Sequence, residues 1–129
     1  MRKAIILLVC ILLLLIGCSK ENDDAEDIPE LLEVTLSIPE AIQVNQEVAI
    51  EAAVTQGQEK VEDADDVKFE VKKAGHDTSE EIIGKHQGNG IYAITKTFQE
   101  AGSYTVTAHV TARSMHNMPT KEFKVESEK

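Results

Sequence analysis

The sequence predicts an all-β protein, an antiparallel sandwich of about seven short strands. From residue 31 onward, apolar residues alternate with polar ones at a period of two, which is typical of strands that bury one face. Short stretches rich in Gly, Asn, Pro and charged residues separate these alternating segments. None of the segments has the period of 3.6 residues that an amphipathic helix requires.

Seven segments carry this alternation, in order along the chain. The first contains Val34, Leu36 and Ile38, and the fourth has the weakest pattern, with either Ile82 or Ile83 directed inward. The predicted strands are residues 31–38, 46–55, 66–73, 80–87, 91–98, 103–113 and 119–126. This number and spacing of strands favour a sandwich, and the alternative is another small all-β fold such as an open barrel.

Residues 100–106 (EAGSYTV) indicate an immunoglobulin-like sandwich. The segment resembles the Asp-x-Gly-x-Tyr-x-Cys corner of such domains, with Val106 in the place of the cysteine. We therefore expect Tyr104 at the start of the sixth strand, with its hydroxyl bonded back to the backbone. Ala52 would replace the partner cysteine on the second strand, so the sandwich would have no disulfide.

The N-terminal segment is typical of a secretory signal. Two basic residues precede an uncharged apolar run over residues 4–16. The sequence LIGC at 15–18 then resembles the lipobox of bacterial lipoproteins, in which the cysteine thiol is diacylated and the chain is cut ahead of it. The alternative, an uncleaved anchor, would need roughly 20 apolar residues to span a bilayer. We predict a signal peptide over 1–17, lipidation of Cys18 and an extracytoplasmic domain anchored to the bacterial cell membrane.

After the signal peptide, the composition divides the chain into a tether and one domain. Residues 18–30 are the lipidated cysteine and a segment with seven charged residues and few apolar ones, which predicts a disordered tether. Residues 31–129 form the sandwich domain. Loss of the signal peptide changes the net charge from −10 to −12, and this acidity argues against nucleic acid as a partner. The domain then contains no thiol, which excludes cysteine catalysis and thiolate metal sites.

The segment Ser114–Pro119 does not look like packing, and we predict a loop there between the sixth and seventh strands. It contains Met115, His116 and Met118. Thioether and imidazole ligands together favour Cu(I), and imidazole also accepts Cu(II). Copper is therefore the expected metal. The alternative is that both methionines cover the open end of the sandwich while His116 is only exposed.

The expected topology selects the other histidines that could join this loop. Turns after the second, fourth and sixth strands lie at one end of a sandwich, so His86 at the end of the fourth strand is the expected additional ligand. His76, in the turn after the third strand, belongs to the other end. His109 has outward parity, and six extended residues separate it from Met115 by roughly 20 Å. His109 and His76 are therefore less favoured ligands.

Two further classes of site have little support. The acidic run Glu62–Asp66 lacks the ligand spacing of a calcium loop, and a solvated turn explains it better. The chain has no nucleophile elbow, no zinc-hydrolase His-Glu-x-x-His motif and no glycine-rich phosphate loop. We therefore expect that the protein is not an enzyme.

Four short motifs resemble those of the YtkA-like, or FixH-like, domain family. They are HVTARSMHNMP at 109–119, VEDA at 61–64, GIY at 90–92 and AGSY at 101–104, and the resemblance covers roughly residues 33–126. It implies an extracytoplasmic immunoglobulin-like domain, often a lipoprotein. It also implies a link to copper handling and to cytochrome oxidase assembly.

Two hypotheses about function follow. In the first, the protein is a lipid-anchored accessory domain that binds copper weakly and passes it to, or protects, a membrane oxidase, with that oxidase or a copper-delivery protein as its partner. In the second, it is a metal-free interaction module that docks on a membrane complex through a sheet face or an edge strand. Copper titration separates the two.

Overall fold

Two β-sheets pack face to face across one layer of apolar side chains, which confirms the predicted immunoglobulin-like sandwich. The structure is a computed structural model that describes Ile28 and residues 30–127. The predicted signal peptide, Cys18 and most of the predicted tether lie outside the described residues. Within the described part of the chain there is no helix long and apolar enough to cross a membrane.

Eleven strands can be traced in the described residues. Sheet 1 contains, from edge to edge, β1 (Leu32–Ser37), β3 (Glu47–Gln56), β8 (Ile91–Thr97) and β7 (Lys85–Gly88), with β4 (Glu59–Lys60) paired to β3. Sheet 2 contains β2 (Ile42–Gln43), β11 (Thr120–Glu126), β9 (Gly102–Ala112), β5 (Asp66–Lys73) and β6 (Glu80–Ile83), with β10 (Met115–Asn117) paired to β9. The pairing of β2 with β11 is parallel, and the other pairings are antiparallel.

The predicted alternation places the core between the sheets. The largest fully buried side chains include Ile50, Val54, Phe69, Val106 and Val110, and burying each one stabilises the fold by roughly 1.5–3 kcal/mol. Every buried apolar side chain among the described residues lies between positions 32 and 125. A chain that starts at residue 21 therefore contains the whole packed unit.

The tyrosine corner is confirmed. The hydroxyl of Tyr104 donates a hydrogen bond of 2.7 Å to the backbone carbonyl of Glu100. Ala52 and Val106, which stand where a disulfide would be expected, are both completely buried. The small and aliphatic side chains at these positions therefore fill the core directly.

The fourth predicted strand, residues 80–87, is wrong as a single strand. The chain crosses from sheet 2 to sheet 1 at Gly84, whose N–H still donates to the Val67 carbonyl at 2.8 Å. A side chain at position 84 would bring its Cβ within 2.8 Å of the Phe69 ring, so the crossing requires glycine. Of the two isoleucines, Ile82 packs against the core, while Ile83 is 72% exposed.

The predicted loop at 114–119 is also wrong. The chain turns tightly at Arg113 and Ser114, with φ of 51° and 64°, and then returns as β10 against β9. Asn-Gly is the usual sequence of such a turn, so Arg-Ser gave no hairpin signal. β10 and β11 keep one register against β9. Met118 and Pro119 separate the two strands, and the Pro119 carbonyl still accepts the Ala108 N–H at 3.0 Å.

Candidate metal-binding face

The β9–β10 hairpin decides which side chains share a face of sheet 2. On β9 the even-numbered residues are buried, so His109 and Thr111 face outward. His116 lies opposite Thr111 and therefore also faces outward. The unbroken register places Met118 opposite His109, and Met118 is 54% exposed. We name the outward surface formed by His109, His116 and Met118 the hairpin face.

The spacing of the two imidazoles suits a shared metal ion. The ring centres of His109 and His116 are 6.1 Å apart, with the planes inclined by 31°. Metal–nitrogen bonds of about 2.0 Å put two imidazoles on one ion with ring centres roughly 5–6 Å apart. A small adjustment of side-chain torsions would therefore let both rings bind the same ion.

Glu70 of β5 fixes the orientation of His109. Its Oε2 lies 2.9 Å from Nε2 of His109, and its Oε1 accepts a hydrogen bond of 2.9 Å from the Ser79 hydroxyl. The hydrogen bond from His109, followed by that from Ser79, lowers the pKa of Glu70. An ionised carboxylate only accepts hydrogen bonds, so Nε2 of His109 is the donor in this contact, and in the neutral imidazole Nδ1 then keeps the lone pair.

His116 is held through its other nitrogen. Its Nδ1 lies 2.9 Å from the hydroxyl of Thr111, directly across the hairpin. Because this hydrogen bond occupies Nδ1, Nε2 is the nitrogen of His116 that remains available to a metal ion. The hairpin face therefore offers Nδ1 of one histidine, Nε2 of the other and the thioether of Met118.

Polar contacts fix both the tip and the side of the hairpin. The guanidinium of Arg113 donates to Gln56 and to Glu59, each at 2.8 Å, and to Asp63 at 3.3 Å. The hydrogen bond from Arg113 lowers the pKa of Glu59.

At the side of the hairpin, the Asn117 amide donates a hydrogen bond of 2.9 Å to the backbone carbonyl of Leu32 and so connects β10 to β1.

Met115 does not belong to the hairpin face. It lies opposite Ala112, which is completely buried, and its side chain packs against the core. The sequence-based alternative, that a methionine of this segment covers the sandwich, therefore describes Met115. Met118 lies on the opposite side of the strand.

The structure separates two other predicted ligands from the hairpin. His86 stacks on Tyr92 with ring centres 4.8 Å apart, on β7. The hairpin strand β10 lies next to β1, at one edge of sheet 1. β7, which carries His86, is at the other edge, three strand spacings or roughly 14 Å from β1. His76 follows the end of β5 at which Lys73 pairs with Tyr104. That position is seven residues along β9 from Thr111, or roughly 23 Å.

His109, which the sequence disfavoured, is the histidine that adjoins His116. The predicted separation of roughly 20 Å between His109 and Met115 assumed an extended chain. The chain instead turns back at the hairpin, which brings residues 109 and 118 directly opposite each other. Recognition of Arg113 and Ser114 as a two-residue turn would have revealed this pairing. The outward parity of His109, correctly inferred from the sequence, is what puts it on the same face as His116.

The donor set limits the chemistry of the hairpin face. Among the described residues, no three His, Cys, Asp or Glu side chains are gathered so that they could hold a metal ion. A metal on the hairpin face would therefore need the thioether of Met118 beside the two imidazoles, and this set suits Cu(I).

Two carboxylates of the acidic run Glu62–Asp66 have partners within the protein. Asp63 accepts a hydrogen bond from Arg113, and Glu62 accepts the backbone N–H of Asn89 at 2.7 Å.

Comparison with known families identifies the domain. The sequence profile of the YtkA-like family matches residues 27–109, which is more than half of the chain. The chain belongs to the YtkA-like family. The matched region of this YtkA-like chain includes His109 but ends before His116 and Met118. No curated protein matches the chain by sequence.

Solved structures show the same architecture at low sequence identity. The CARDB domain of a Pyrococcus furiosus protein, solved in complex with di-metal ions, has a TM-score of 0.50 and 18% identity, over 81% of this chain and 99% of that one. The PKD domain of human SorCS2 has a TM-score of 0.50 and 14% identity, over 88% and 94% of the two chains. An engineered protein gives 0.51 and 17% over 74% of this chain, which spans only 20% of that protein's length. At these identities the likeness is one of fold.

Proposed function

We propose that this YtkA-like protein is a copper-handling accessory domain. It binds Cu(I) through His109, His116 and Met118 and passes the ion to, or protects, a membrane oxidase. The observation that carries the proposal is the placement of two imidazoles and one thioether on a single exposed face of one hairpin. In this proposal the protein is not an enzyme, and copper is its cargo.

The exposure of the hairpin face supports transfer rather than storage. The three side chains stand on the outward surface of sheet 2, and Met118 is more than half exposed. Three protein donors leave a position on the ion that a partner's ligand can reach. The partner would be a membrane oxidase or a second copper-delivery protein, and the transfer would proceed by exchange of ligands.

The proposal includes a lipid anchor at Cys18 and an extracytoplasmic location. The LIGC sequence at 15–18 supports both. The hydrogen bond of Asn117 to the carbonyl of Leu32 supports a link between the anchor and the site, because it places β10 beside the first residue of β1. The hairpin face would then lie at the side of the domain where the tether enters.

The test is an anaerobic Cu(I) titration of residues 21–129 against a competing chromophoric chelator. We expect one Cu(I) per chain, and at least a tenfold weaker affinity after His109→Ala, His116→Ala or Met118→Leu. Met115→Leu and His86→Ala are the matched controls, and neither should change the affinity. Leucine keeps the size and apolarity of methionine, so the fold should survive both methionine changes.

Two outcomes would contradict the proposal. If the wild-type domain does not bind Cu(I) at micromolar concentration, the metal-free interaction module is the function that remains. If Met115→Leu weakens binding and Met118→Leu does not, the hairpin face is not the site.

A further inference from the structure

We propose that Glu70 is a positioning residue that decides which nitrogen of His109 binds copper. Copper is then held by Nδ1 of His109 and by Nε2 of His116. This inference rests on the proposed function, and it adds the way in which the site is organised before the ion arrives. It also makes the two histidines chemically different, although both lie on the hairpin face.

The carboxylate of Glu70 is itself fixed in place. Glu70 lies opposite Thr107, so its contact with His109 is a diagonal one across β5 and β9. Ser79 binds the second carboxylate oxygen at 2.9 Å. The side chains of His109 and Glu70 are only 25% and 33% exposed. The acceptor therefore has a defined position relative to the imidazole ring.

An anionic partner at Nε2 changes what His109 can do as a ligand. The N–H that donates to Glu70 leaves Nδ1 as the atom available to bind a metal ion, and the carboxylate holds the ring in this orientation. A metal ion at Nδ1 increases the positive charge on the ring and so strengthens the hydrogen bond to Glu70. The carboxylate thus stabilises the copper-loaded form more than the copper-free form.

Thr111 plays a weaker form of this role for His116. Its hydroxyl occupies Nδ1 at 2.9 Å and so leaves Nε2 to the metal ion, but it carries no charge that would strengthen this hydrogen bond as copper binds. Glu70 acts through His109 and does not itself bind the ion. In the described part of the chain, Glu70 does not join the two histidines in a cluster that could hold a metal ion.

The experiment is long-range ¹H–¹⁵N NMR of uniformly labelled residues 21–129 at about pH 8, where free histidine is neutral. Spectra are recorded before and after one equivalent of Cu(I), whose closed shell leaves the signals sharp. Without copper, His109 should show a protonated Nε2 and a bare Nδ1. With copper, Nδ1 of His109 and Nε2 of His116 should shift, while Nε2 of His109 keeps its proton.

Variants test the contribution of the carboxylate to affinity. Glu70→Ala should weaken Cu(I) binding by roughly 10- to 100-fold, and Glu70→Gln, which keeps an acceptor oxygen, should restore part of it. Glu122→Gln is the control for charge, because Glu122 pairs with Thr105 on the same outer face of sheet 2. It should leave the affinity and the nitrogen assignment unchanged.

The possible failures are distinguishable. Copper on Nε2 of His109 in the wild-type protein, or wild-type affinity in Glu70→Ala, would overturn the role of Glu70 while the copper site itself stands. No Cu(I) binding by the wild-type protein would overturn both the proposed function and this inference. The nitrogen assignment uses the wild-type chain, so the test does not depend on the folding of any variant.

Discussion

At the scale of single residues, two tyrosine hydroxyls hold connections that lie outside the strand ladders. Tyr92 donates to the carbonyl of Val61 at 3.0 Å and accepts the N–H of Ala64 at 3.1 Å. Tyr104 makes one contact of this kind, to the carbonyl of Glu100. The Tyr92 hydroxyl therefore satisfies two backbone groups, and the connection that it holds includes Asp63, which accepts from Arg113 at the tip of the β9–β10 hairpin.

The two hydroxyls should differ in their contribution to stability. Tyr92→Phe should lower the free energy of unfolding by about 1–3 kcal/mol, because it leaves two backbone groups without their partner. Tyr104→Phe should cost about 0.5–1.5 kcal/mol, as for one ordinary hydrogen bond. Urea unfolding of both variants measures the difference. An equal or larger loss for Tyr104→Phe would show that the 61–64 connection does not depend on Tyr92.

Single residues also show what the sequence could predict. Tyr104 was predictable because its partner Glu100 lies within the same short motif. The bond between Tyr92 and Val61 was not, because 31 residues separate them and no local pattern reports the contact. Likewise, the outward parity of His109 followed from β-alternation, whereas its partner Glu70 is 39 residues away on another strand.

At the scale of elements, the β9–β10 hairpin is the feature that makes the site. Its turn uses two residues other than glycine at positive φ, a conformation that costs about 1 kcal/mol or more at each position. Arg113 offsets part of this cost through its contacts with Gln56 and Glu59. Among the described residues, no side-chain hydrogen bond of Ser114 offsets the cost in the same way.

Ser114→Gly should therefore raise the free energy of unfolding by about 0.5–1 kcal/mol, since glycine adopts positive φ without strain. Ser103→Gly, at the second residue of β9, is the matched control. It should lower the free energy by about 0.5–1 kcal/mol, because there glycine only adds freedom to the unfolded chain. Thermal or urea unfolding measures both changes. Destabilisation by Ser114→Gly would contradict the strain assigned to this turn.

Elements also mark where prediction from the sequence fails. Most strand positions followed from apolar alternation, because each strand buries one face. The crossing at Gly84 was missed because a change of sheet leaves the local period of two intact. The two-residue strands β2 and β4 are too short to carry any period.

At the scale of the whole molecule, we propose an anchored N-terminus and a copper site near the entry of the tether. The predicted mature chain carries a net charge of −12. That charge disfavours electrostatic adhesion to an anionic bilayer, so in the proposed function the acyl chains on Cys18 supply the membrane attachment. Each buried methylene contributes about 0.8 kcal/mol, and two or more chains are needed for stable anchoring.

Cys18→Ala should therefore abolish metabolic acyl labelling and leave the precursor uncleaved by the lipoprotein signal peptidase. Cys10→Ala is the matched control, because Cys10 lies inside the apolar run and should not be acylated. Fractionation of cells and medium gives a second measurement. Wild-type protein that is free in the medium, with residues 19–30 intact, would contradict the anchor.

X-ray absorption at the copper K edge of the Cu(I)-loaded domain tests the central claim most directly. We predict two nitrogen ligands and one sulfur ligand in the wild-type domain, with the sulfur lost in Met118→Leu and retained in Met115→Leu. A wild-type spectrum without sulfur, or one in which sulfur persists after Met118→Leu, would contradict a copper site on the hairpin face.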